Sequence, residues 1–204
     1  MRFLGTIADL FVINVLFVVC ALPVVTLGAS LTAMYRALFA LREQRGQTVQ
    51  VFFTSLRANF KQATCVWLIT AGAFAVIAVD IRLLSRWGML QSVPVLVLCI
   101  AVSAVAAGLS AYLFPFLSRF ECGTLQLFSN CLVLSGKSIR TALGVTLVSC
   151  LPLLMFLFGT AAFLTLLPFW LCIGFALCGY ANSMMLEPLF EPYLPDAPVG
   201  AQDE

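Results

Sequence analysis

Residues 22–30 read LPVVTLGAS and place Pro23 and Gly28 inside a long apolar run, where a membrane span carries neither by preference. How this stretch is read decides how many times the chain crosses a bilayer. The run around it extends uncharged from Leu10 to Tyr35, bounded by Asp9 and Arg36. As one helix its 26 residues would measure about 39 Å, more than a hydrocarbon core of roughly 30 Å requires. Proline lacks an N–H and clashes with the carbonyl four residues earlier, so a kink or break is expected between Pro23 and Gly28. Thr26 and Ser30 can bond the backbone groups this frees. Because residues 30–35 are too few to recross alone, the expectation is a single crossing, kinked or broken at residues 23–28, that continues as a helix beyond Arg36.

The rest of the chain repeats this character. Of 204 residues, 62% are hydrophobic and 10% charged, and the mean hydropathy is +1.07. No soluble domain needs so much apolar surface to fill one core. Further apolar runs occupy residues 63–84, 93–117, 141–163 and 164–186, which predicts an all-α polytopic helical bundle of about five transmembrane helices. It is expected as one domain over residues 1–187, followed by an acidic, Pro-rich tail, PLFEPYLPDAPVGAQDE, from 188 to 204.

Lysine and arginine set the expected orientation. Arg36, Arg42, Arg45, Arg57, Lys61, Arg119, Lys137 and Arg140 fall in two long links on one side, eight residues against Arg2, Arg82 and Arg86 on the other. That bias predicts both links and the C-terminus cytoplasmic and, for five crossings, the N-terminus outside. The net charge of only +2 offers no concentrated basic face, which argues against a nucleic-acid partner.

Within the first link, VQVFFTSLRANFKQA sets Phe52, Phe53, Leu56 and Phe60 at helical spacing, with Arg57 and Lys61 at the border. An interfacial amphipathic helix at about residues 50–62 is expected, its rings in the acyl boundary and its cations among headgroups. The second link carries a weaker equivalent, LQLFSNCLVLSGKSIRTAL. The shared order of span, basic link and span also raises the idea of a loose internal repeat.

Polar groups inside apolar runs are the natural site candidates. Asn14, deep in the first run, either lines a pathway or bonds a neighbouring helix, the commoner role. Asp80 is expected to pair with Arg82 or Arg86. In GYANSMMLEP, Asn182 and Glu187 are five residues apart and point away from each other, whereas Ser183 and Glu187 share a face. Small residues at four-residue spacing, such as Ala71 with Ala75 and Ala104 with Gly108, favour close helix contacts or a homo-oligomer.

The eight cysteines form no CxxC pair and the chain has no histidine, so neither a metal site nor a cofactor is expected. Phosphate loop, serine elbow and paired intramembrane aspartates are all absent, and an enzyme is not expected.

The patterns DLFVINVLFVVCALPVVTLGASLTAMYRAL and VFFTSLRANFKQATCVWL resemble the YesL-type family of bacterial integral membrane proteins. That resemblance implies no activity. It implies a setting beside sugar ABC-transporter components, and hence an accessory role in carbohydrate uptake with transporter subunits as partners. The alternative is a small oligomeric transporter or channel that uses the break at Pro23 as its gate.

Overall fold

The computed structural model describes residues 2–44, 47–154 and 160–193, and these are helical almost throughout, with no strand among them. The helices are α1 (Arg2–Ala21), α2 (Leu27–Arg42), α3 (Thr48–Arg86), α4 (Val93–Arg119), α5 (Thr124–Lys137), α6 (Ile139–Leu154), α7 (Thr160–Phe169) and α8 (Phe175–Phe190). A 3-10 turn, Val24–Thr26, precedes α2, and a π-helical turn, Trp170–Gly174, joins α7 to α8. Five segments are long and apolar enough to cross a membrane: α1, α2 with its leading turn, α3, α4 and the α7–α8 unit. The pair α5 and α6, bent by 112°, makes a sixth if counted as one span. The polytopic all-α bundle is therefore present.

The interruption falls where proline predicts it, but it does more than kink the helix. Pro23 sits in extended backbone, and the Thr26 hydroxyl lies within hydrogen-bond distance of the carbonyls of Cys20 and Pro23. Ser30 donates to the Thr26 carbonyl. Beyond this turn the chain reverses. Phe17 of α1 packs on Phe175 at 5.4 Å between ring centroids, and Leu27 and Leu31 of α2 line the same space as those two rings. Helix α1 thus returns beside α2 instead of extending it, and the expected single crossing is corrected to two helices packed together.

Helix α2 is the hub, packed against α1, α3, α4 and α8. Ala29, Ala33 and Ala37, one helical turn apart, are fully buried and let neighbouring backbones approach. At Gly28 the approach is closest: a Cβ there would lie 2.5 Å from the Ala63 carbonyl oxygen and from Trp67 Cβ.

Helix α3 has 39 residues and is therefore about 58 Å long, nearly twice the hydrocarbon thickness. The segment at 50–62 is helical, but it is the leading part of α3 and not a separate surface element. Its aromatic face is divided accordingly. Phe52 is buried in the core, and only Phe53 and Phe60 are exposed. The short, separate amphipathic helix is instead α5, which buries Leu127, Cys131 and Leu134, exposes Leu125, Leu132 and Val133, and turns sharply into α6. The two links are thus built differently, the first continuous with the helix that follows and the second bent away from it.

The remaining runs hold with shifted edges. Residues 63–84 and 93–117 are helical, joined across Gly88, whose φ of +70° suits a residue without Cβ. The expected junction of the last two spans at 163/164 falls inside α7, and residues 155–159 of the run 141–163 lie outside the described residues. Helix α8 runs through Pro188, and Phe190 is buried against Phe39, Phe116 and Phe120, so the packed domain reaches past residue 187. The tail from residue 194 onward lies outside the described residues.

Candidate functional site

Two polar centres occupy one end and the interior of the bundle. At the end, the C-termini of α2, α4 and α8 converge, and each brings a charge that its own apolar sequence leaves without a local partner. Glu187 of α8 forms an ion pair with Arg42 of α2 and lies 3.8 Å from Arg119 of α4. Arg119 also reaches Glu43 at 2.8 Å and stacks over the Phe39 ring at 4.2 Å. Arg42 lies 5.9 Å from the Tyr180 ring centroid. Side-chain exposures of 8% at Arg119 and 19% at Arg42 make these charges partly desolvated, where attraction is stronger than at a free surface. Beside them Arg36 donates to the Ser118 carbonyl at 3.0 Å, and Gln62 to the Cys122 carbonyl at 2.6 Å. Burial pushes the Cys122 thiol above its ordinary pKa, which keeps it protonated.

In the interior, Asn182 donates through its side-chain amide to the Tyr35 hydroxyl at 3.2 Å and to Ser149 Oγ at 3.0 Å. It joins α8 to α2 and α6 and borders a cavity of about 420 Å³. Glu187 and Asn182 therefore serve different centres, as their spacing requires. Ser183 donates to the Tyr180 carbonyl within α8 and joins neither.

Asn14 is at a third place. Its amide donates to the carbonyls of Trp170 and Leu171 at 3.0 and 2.7 Å, and its Oδ1 accepts from the Ala176 N–H at 2.8 Å. One asparagine thus meets backbone groups of the π-helical turn from a neighbouring helix. The turn itself is shaped by Gly174, where a Cβ would strike the Trp170 indole at 2.5 Å.

The other sequence candidates stay apart. Pro23, Thr26 and Gly28 build the turn and the α2–α3 contact, and Arg57 and Lys61 lie exposed, four residues apart, on the leading part of α3. Asp80 is exposed, and no ion pair joins it to Arg82 or Arg86 among the described residues. The expected pairing fails because offsets of two and six residues put those arginines on other faces of α3. Arg42, Glu43, Arg119, Tyr35 and Ser149 were not among the candidates. A lone acid at the end of an apolar helix, Glu187, was the one signal that pointed to them.

Residues 10–81, which run from α1 through the turn and α2 into α3, match the model of a family described as a protein of unknown function, DUF624. No curated protein and no solved structure matches the chain.

Proposed function

We propose that the chain is a multi-pass protein of a bacterial cell membrane that works without catalysis, as an accessory component of carbohydrate uptake. Its charged end faces the cytoplasm and contacts sugar ABC-transporter subunits. The observation that carries this reading is the division of the basic residues at that end. Arg42 and Arg119 are neutralised inside the fold by Glu187 and Glu43, whereas Arg57 and Lys61 are exposed and have no ion pair among the described residues. Cations held out on a rigid helix suit recognition of an acidic protein surface. The carbohydrate setting rests on the YesL-type resemblance. The C-terminus is cytoplasmic in this reading. With α1 folded back on α2, the N-terminus is placed on the same side, in contrast to the outside position that a single crossing implies.

Co-purification of the tagged protein from native membranes in a mild detergent tests the reading. Transporter subunits are expected in stoichiometric amounts and should be lost with Arg57→Glu and Lys61→Glu together. Recovery of the protein alone, with sugar uptake unchanged on deletion, would overturn it. The second reading, a small oligomeric transporter, is favoured by the interior cavity, and flux across a sugar and ion panel in liposomes tests it.

A further inference from the structure

The cavity at Asn182 has a composition that points to a ligand. Its walls come from six of the helices, and most of its lining is apolar, including Phe17, Trp67, Phe114 and Phe175. At the polar wall, Asn182 is 1% exposed and its Nδ2 already serves both Tyr35 and Ser149. Its Oδ1 is buried with no hydrogen-bond partner. A buried amide atom without a hydrogen bond carries its full desolvation penalty, so it is a group awaiting a partner. If the amide is turned over, Tyr35 and Ser149 can donate to the oxygen instead, and the nitrogen is then the atom left over. A hydroxyl, which both donates and accepts, satisfies either arrangement. Among the other polar groups on the lining, Thr70 is bonded to the carbonyls of Val66 and Trp67 and Ser110 to that of Ala107, and Thr146 borders the same space. A water could meet the amide atom and the hydroxyls beside it, but it would leave the apolar remainder of the space unfilled.

We propose that this cavity binds a lipid-soluble alcohol, an apolar molecule with one terminal hydroxyl that pairs with Asn182 while its chain lies among Trp67, Phe114 and Phe175. A volume of about 420 Å³ is within the ordinary range for small-molecule sites. The cavity lies among helices apolar enough to stand in a bilayer, so the ligand partitions to it from the lipid phase. The inference depends on neither functional reading, since a bound alcohol can be cargo, regulator or structural lipid.

The test uses the full-length protein in phosphatidylcholine nanodiscs and a ten-carbon alcohol carrying a photoactivatable diazirine as the probe. Labelling is expected on the cavity-lining parts of α2, α4 and α8. 1-Decanol should displace it at least tenfold better than decane at equal concentration in the bilayer. Asn182→Leu should abolish that preference while the protein stays monodisperse. If Asn182→Leu does not fold, Ala111→Phe, which fills the cavity from α4, should remove the labelling instead. Labelling that decanol and decane displace equally, or that survives both substitutions, would overturn the proposal. So would labelling confined to the lipid-facing surface.

Discussion

Glu187 holds arginines from two other helices, so its removal is felt at more than one place. Glu187→Gln leaves Arg42 and Arg119 partly desolvated with one carboxylate, Glu43, between them. The expected loss is about 1–3 kcal/mol, less than for a fully buried pair because some solvent reaches each side chain. Thermal unfolding in detergent should show it, and Arg42→Gln added to Glu187→Gln should cost less than the sum of the two. Asn14→Leu removes three interhelical hydrogen bonds at the π-helical turn and is expected to destabilise by about 2 kcal/mol, since each such bond contributes roughly 0.6 kcal/mol and at most about 1.7. Asn14→Asp keeps the acceptor for the Ala176 N–H but sets a buried carboxylate oxygen against the carbonyls of Trp170 and Leu171, so in the same unfolding series at neutral pH it should cost at least as much as Asn14→Leu. Asn14, Asn182 and Glu187 were legible because each is a lone polar group in an apolar helix. Their partners were not, because Tyr35 lies 147 residues from Asn182 and Trp170 lies 156 from Asn14, and no local pattern links them.

Among elements, the contact of α2 with α3 tolerates the least change. Gly28→Ala sets a methyl against the Ala63 carbonyl and Trp67 Cβ, which are rigid, and should cost about 1–3 kcal/mol. Gly179→Ala meets the far ends of Leu38 and Met34, which can swing away, so its effect on the unfolding midpoint should be clearly smaller. Length and hydropathy made the apolar runs legible, and Pro23 made the interruption legible. The reversal of the chain there is not legible, because the uncharged run ends at Arg36 and leaves too few residues after the break for a second crossing. Arg36 instead bonds the Ser118 carbonyl from an exposed position, and α2 continues past it to end at Arg42, which Glu187 neutralises. The same arithmetic separated residues 50–62 from the span that follows, although nothing between Lys61 and Ala63 breaks the helix.

For the whole molecule, the fold places the leading part of α3 and the turn at Gly88 at opposite ends. In a cysteine-free background, a membrane-impermeant maleimide should modify Gly88→Cys in intact cells and Arg57→Cys only after permeabilisation. Labelling of both from one side would refute the orientation. A reporter at the N-terminus should share the side of one at the C-terminus, because α1 returns along α2.

The 39 residues of α3 carry a mechanical consequence. Without proline or a break from Thr48 to Arg86, the helix is a single rod, held along its leading half where Phe52, Ser55, Ala63 and Val66 are buried. Ala63 lies about 22 Å from one end of the rod and about 34 Å from the other. The half that carries Arg86 therefore stands out like a cantilever from a clamped base, and a load on its tip bends the rod instead of turning it.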